Sequence, residues 1–265
     1  MSAFERDTAV ERLTHPPRGS YRGRVSRDWF TPRGANGGFL AAMVLRAIMD
    51  AEPEAERAPR SLTLHYLRPP GEGELTITVT EERRGRQLTT YSARAEQDGR
   101  LCILALAALS KDFPTTLQHG ERMPDVAPPN GLVVRDEPDG PPMVRQFATQ
   151  AAIGHEPFSG ADEALTGGWI AFAGDEPSPL DPPALALLSD AWLPSPFVLL
   201  HDFVGVPTID LTIHFRARSE GRTGPALAVF RSRTIAEGFF EEDGELWSQD
   251  GMLLAQSRQL GPVIE

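Results

Sequence analysis

LTLHY at Leu62–Tyr66 and LTIHF at Leu211–Phe215 are two versions of one segment, 149 residues apart. A second pair, QDGRLC at Gln97–Cys102 and QDGMLL at Gln249–Leu254, lies 152 residues apart. Two offsets that agree to within three residues indicate a duplicated unit with one small insertion in the second copy. Such a repeat decides the architecture before any single residue does. The 265 residues then divide into a first copy over 1–118, a connecting stretch over 119–142 that is rich in proline, glycine and charge, and a second copy over 143–265.

Within the first copy, NGGFLAAMVLRAIMD at Asn36–Asp50 is apolar or small at nearly every position, the pattern of a helix enclosed on all sides. SLTLHYLR, ELTITVTEERR, QLTTYSARAEQ and RLCILALAALS follow, separated by Pro-Gly, Arg-Gly-Arg and Asp-Gly turn signals, and read as an antiparallel meander. The second copy repeats the plan with an apolar helix near Pro183–Leu193. Its strands are expected near Thr208–Arg216, Ala226–Ile235, Gly238–Glu242 and Gly251–Gln259. The expected fold class is α+β: a central helix wrapped by a curved antiparallel sheet, twice, with the sheets joined edge to edge.

Acidic residues outnumber basic ones by 37 to 26, and the sequence pI of about 5.1 gives a field that repels nucleic acid and anionic membrane surfaces. A small-molecule partner is expected instead. The single cysteine, Cys102, excludes an internal disulfide and lies in an apolar run where it reads as a small hydrophobe. MSAFERDTAVERLTH lacks the apolar stretch of a secretory leader, and no segment has the uninterrupted apolar length of a membrane helix, so the expected compartment is the cytoplasm, without membrane insertion.

Chemistry concentrates in the second copy. From Ala184 to Leu193 the only polar side chains are Ser189 and Asp190, and an ionised carboxylate in apolar surroundings is unfavourable unless something pairs or uses it. Either Asp190 lies on an exposed turn of an amphipathic helix or at a helix end near Pro194, or burial raises its pKa, which suits a base that takes a proton from water. Strand alternation puts Gln259 on one face with Leu253, Ala255 and Ser257, pointing inward, where it either orients a water or caps strand-end groups. Thr208 falls in a polar row with Asp210, Thr212 and His214, unless Pro207 breaks the pairing and turns it toward the helix. Subtracting the repeat offsets puts Leu40, Pro59 and Ala107 at the corresponding places of the first copy, so a single site is expected. The first copy would contribute the helix start at Asn36, Gly37 and Gly38, whose backbone N–H groups either stabilise an oxyanion or merely permit close packing. The six histidines show no zinc-type spacing, and no Gly-x-Ser-x-Gly elbow or Walker loop occurs, so no metal or cofactor is expected. His65 and His214, equivalent in the repeat, read as structural. Arg83, Arg84 and Arg86 form a basic turn that either meets phosphates or is only a solvated hairpin.

LLSDAWLP around Asp190, PTIDLTIHF after Val206, QSRQLG around Gln259 and GANGGFLAA before the first helix together resemble the acyl-CoA thioesterase II-like family of double-hotdog proteins. The resemblance spans almost the whole chain. It implies a double hotdog fold that hydrolyses acyl-CoA thioesters, with Asp190, Thr208 and Gln259 holding and activating the attacking water. It also implies binding of acyl-CoA near Asn36, Gly37 and Gly38; hotdog sheets commonly pair further, so a homo-oligomer through sheet pairing is compatible with it while the oligomeric state stays open. Two other readings remain on the same fold, an acyl-binding protein without turnover and an enoyl-CoA hydratase. Asp210 and His214 suit the hydratases, but the Asn-Pro of their signature is missing between them.

Overall fold

A computed structural model describes residues 2–15, 18–137, 139–174 and 177–264. A short helix α1 (Ala3–Asp7) precedes β1 (Glu11–Thr14), β2 (Arg18–Val25) and a small ribbon of β3 (Phe30–Thr31) and β4 (Gly34–Ala35) that delivers the chain into α2 (Gly37–Ala51). The meander β5 (Ala58–Tyr66), β6 (Gly73–Arg84), β7 (Leu88–Gln97) and β8 (Arg100–Ser110) completes the first half. The second half holds β9 (Val133–Val134), β10 (Phe147–Gly154), β11 (Leu165–Phe172), α3 (Pro182–Leu188), β12 (Asp210–Phe215), β13 (Ala226–Arg231), β14 (Ile235–Ala236), β15 (Phe239–Trp247) and β16 (Leu253–Pro262).

One antiparallel sheet runs through both halves in the order β1-β2-β6-β7-β8-β5-β12-β16-β15-β13-β11-β10-β9, with β14 paired to β15. This is the double hotdog plan. Its seam is the pair β5–β12, formed by the two repeated segments, with Leu64 opposite Leu211, Thr63 opposite Thr212 and Leu62 opposite Ile213. Thr63 and Thr212 are themselves 149 residues apart, so the approximate two-fold axis of the duplication passes between them, and their hydroxyls lie 3.1 Å from each other. Alternation places Leu62, Leu64, Leu211 and Ile213 inward and leaves His65 and His214 exposed on the outer face, so neither histidine belongs to the core.

On the inner face, α2 is buried along most of its length, with Phe39, Leu40, Met43, Leu45 and Ile48 enclosed. Each such side chain contributes roughly 1.5–3 kcal/mol on leaving water. Asn36 starts the helix by accepting the Phe39 N–H on its side-chain oxygen, and the helix stops at Glu52, ahead of Pro53. In α3, Asp181 caps Ala184 and two prolines occupy the first turn. This helix ends at Leu188, five residues short of the expected Leu193. Ser189 Oγ turns back to the Leu185 carbonyl, and the Asp190 N–H bonds to Leu187, which tightens the chain into a turn. Buried side chains of both halves form one continuous cluster, and Trp29 of the first half meets Phe147 and Phe172 of the second.

The proline-rich stretch crosses the outer face of the second half. Met123, Val126 and Leu132 pack on Trp169, Leu227 and Trp247, and Trp169 Nε1 donates to the Ala127 carbonyl at 2.9 Å. Trp169→Phe keeps an aromatic ring but removes that bond and part of the buried indole. It is expected to lower stability by at least about 1 kcal/mol and to make residues 117–134 the first segment cut in limited proteolysis; unchanged resistance there would show that the bond does not hold the strap.

Candidate active site

The end of α3 and the start of α2 point at each other, and Asp190 lies between them. Its Oδ2 accepts the backbone N–H of Gly38 at 2.9 Å and the side-chain Nδ2 of Asn36 at 3.0 Å. The same Nδ2 donates to the Asp190 carbonyl at 2.8 Å. Asn36 thus caps its own helix with its oxygen and clamps the second half with its nitrogen. A carboxylate next to a helix C-terminus is unfavourable, and the N-terminal amides of α2 reverse that local field. Gly38 has to be glycine for this approach, because a Cβ there would collide with the Leu187 carbonyl oxygen. At Gly37 a Cβ would fall 2.9 Å from Asp190 Oδ2 and 3.1 Å from the Tyr66 ring. Tyr66 closes the other side by donating its hydroxyl to the Gly37 carbonyl at 2.8 Å.

Asp190 is deep within the protein, yet part of its surface is exposed because it borders a cavity of about 480 Å³. Burial raises its pKa to about 6, against the lowering effect of the Gly38 and Gly37 amides and Asn36. Leu40, Tyr66, Met143, Phe147, Trp192 and Phe203 give the cavity a largely apolar wall, and its volume falls in the range of small-molecule sites. Thr208 borders the same cavity. A bend at Ile209 breaks the strand alternation that would have sent Thr208 outward, and its hydroxyl donates to Gln259 Oε1 at 2.7 Å. Gln259 is 4% exposed and stands behind Thr208 rather than in the cavity wall.

Asn36 and Gly37 line the cavity, whereas Gly38 does not. Sequence reasoning left the Gly38 N–H free for an oxyanion; instead it is bound to Asp190. Of the two readings of the basic turn, the solvated hairpin fits the structure. Arg84 is held by Glu52, Glu54, Glu81 and the Tyr91 hydroxyl, leaving Arg83 and Arg86 as an exposed hairpin away from the cavity. Cys102 is buried, and burial raises its thiol pKa, as expected of an inert side chain. Among the described residues no group of three or more His, Cys, Asp or Glu side chains could hold a metal, and no helix is long and apolar enough to cross a membrane.

Residues 120–263 match the acyl-CoA thioesterase C-terminal domain, and residues 25–110 match the acyl-CoA thioesterase N-terminal domain. The chain belongs to the acyl-CoA thioesterase family. Among solved structures it is similar to a conserved hot dog-fold protein of unknown function from Alicyclobacillus acidocaldarius, at 29% identity and a TM-score of 0.89, over 100% of this chain and 99% of that one. A putative thioesterase II from Thermobifida fusca YX shares the fold at 24% identity, with a TM-score of 0.86 and coverage of 100% and 98%. An acyl-CoA thioesterase II from Mycobacterium marinum does so at 20% identity, with a TM-score of 0.75 and coverage of 99% and 97%. No curated protein matches the chain.

This thioesterase-family chain carries one buried carboxylate near the site that sequence reasoning overlooked. Glu242 on β15 is directly opposite Gln259 on β16, accepts Gln259 Nε2 at 2.6 Å, and accepts the Ser195 N–H on its other oxygen. Burial raises its pKa to about 7, and the charge of Asp190 adds to the rise, which places the two acids within electrostatic range. The signal was available: Phe240, Glu242, Gly244 and Leu246 alternate inward along the strand. In the first half the equivalent register sets Ala107 opposite Tyr91, so the polar pair exists only once.

Gly38→Ala should cost about 1–3 kcal/mol through overpacking, measured by chemical denaturation, and should lower activity more than stability explains because it pushes α3 and Asp190 off the α2 terminus. A variant with full activity and native stability would contradict this account of the helix junction.

Proposed function

We propose that this protein hydrolyses acyl-CoA thioesters to the free acid and coenzyme A by direct attack of a water that Asp190 deprotonates. The observation that carries the reading is Asp190 itself, a carboxylate with raised proton affinity held at the wall of an apolar cavity that also contains Thr208. The acyl chain occupies the apolar wall, with its thioester carbonyl toward Asp190. Asn36 and Gly37 border the same space and contact the bound substrate. Thr208 holds the second hydrogen of the water, and Gln259 holds Thr208. Although the chain carries a formal charge of −11, the cavity wall includes Arg33, Arg68 and Arg135 against the acids Glu156 and Asp190. These arginines suit the phosphates of coenzyme A better than the neutralised turn around Arg84.

As a general base, Asp190 has to be ionised in the free protein. The value of kcat/KM should therefore rise with pH through about 6; a profile flat from pH 5 to 8 would argue against a carboxylate base. Asp190→Asn should abolish thiol release from a panel of acyl-CoAs, with a loss of roughly a hundredfold or more. Full retained activity would refute the assignment, and tight acyl-CoA binding without turnover by the unaltered protein would favour a binding role.

Stability should move the other way. The folded-state pKa of Asp190 lies above its ordinary value of 3.8, at about 6, so its contribution is fully present below the ordinary value and is lost as pH rises through about 6. Asparagine cannot ionise. At pH 8 the Asp190→Asn protein should be more stable than the unaltered one by up to about 3 kcal/mol, a gap that closes toward pH 4 and is readable by denaturant titration at the two pH values.

A further inference from the structure

Glu242 has no part in the reading above, yet it is 3% exposed and its partners are Ser195 and Gln259 rather than a cation. Such a group is unfavourable to keep unless it does something. We infer that Glu242 is a positioning residue of the hydrolytic site, which acts through Gln259 to set the direction of the Thr208 hydroxyl, so that Thr208 presents an acceptor and not a donor to the cavity. The inference rests on the hydrolytic reading of Asp190.

The direction follows from which groups can only donate and which can only accept. The Ser195 backbone N–H donates, and it faces one Glu242 oxygen. Above its pKa of about 7 Glu242 is ionised and only accepts, so the other oxygen requires a donor and draws the amide nitrogen of Gln259 toward itself, at 2.6 Å. The amide oxygen then faces Thr208 and takes its one hydroxyl proton, at 2.7 Å. Only lone pairs of Thr208 remain for the cavity. A water between Asp190 and Thr208 gives one hydrogen to each and keeps a lone pair for the thioester carbonyl carbon. With the chain reversed, Thr208 would donate into one of the water's two lone pairs, which lowers its nucleophilicity and leaves its second hydrogen unheld. The first half, with Ala107 opposite Tyr91, has no such chain.

Glu242→Gln tests the direction directly. The Ser195 N–H cannot turn, so the new amide gives its single oxygen to it and points its nitrogen at Gln259, which reverses both Gln259 and Thr208. Thiol release measured at pH 8.5 should show kcat lower by roughly ten- to a hundredfold, with KM changed by less than about twofold because substrate contacts are untouched. In a Thr208→Ala background the same substitution should have no further effect. Exchanging the pair, Glu242→Gln with Gln259→Glu, restores a carboxylate that accepts from both sides, turns Thr208 inward again, and should recover most of the lost kcat. A Glu242→Gln protein with unaltered kcat, losses that add in the Thr208→Ala background, or a folded exchange variant as slow as the single one would each overturn the inference. Thermal melting reports folding; if Glu242→Gln alone does not fold, the exchange decides, with near-native kcat supporting the chain and a folded but inactive protein opposing it. Asp190→Asn with unaltered turnover removes the hydrolytic reading and this inference together, whereas Asp190-dependent turnover that ignores Glu242→Gln removes only the inference.

Discussion

The meeting of the α2 N-terminus with the Asp190 carboxylate is the contact on which the rest of the site depends. Asp190 follows the C-terminal turn of α3, where backbone carbonyls would repel it, inside an environment that disfavours its charge. Asn36 and Gly38 answer both problems with donors from the other half of the chain. The balance is incomplete by design of the geometry: the amides hold the carboxylate in place, and burial still keeps its proton affinity above that of an ordinary aspartate. On the proposed mechanism, a base that is fixed in position and only weakly reluctant to ionise is what attack by water requires.

That contact exists because the duplication brings the two helices to the same place. The seam β5–β12 fixes the relative position of the halves through its register, and the shared core beneath it carries α2 and α3 against each other. Small side chains then decide how close they come. Gly38 lets the α2 backbone touch the Leu187 carbonyl, an approach closed to any residue with a Cβ.

Much of the architecture was legible in the sequence. The repeated pentapeptide located the seam strands, and the all-apolar run located the core helix, because both features are local patterns of hydrophobicity. The outer strands β1, β2, β10 and β11 escaped notice; RGSYRGRV is interrupted by glycine and arginine and LTGGWIAF by glycine, and both take their strand conformation from neighbours rather than from their own propensity. The length of α3 was overread because apolarity continues past Leu188, whereas the break comes from Ser189 and from the bonds that Asn36 makes with Asp190. At the site, alternation placed Gln259 inward. Glu242 was visible by the same rule, but its importance arises from being opposite Gln259 across two strands, and such register is not written in either strand alone.

The duplication has a further consequence. Two identical subunits related by a two-fold axis must present every side chain twice, so a polar cluster near the axis appears in two copies or in none. Joining the units in one chain lifts that degeneracy. The first copy carries Ala107 where the second carries Gln259, and keeps the helix terminus that serves its twin. On the proposed mechanism, covalent fusion thereby turns a symmetric assembly into a division of labour, in which one half specialises in reactivity and the other is free to shape the binding space.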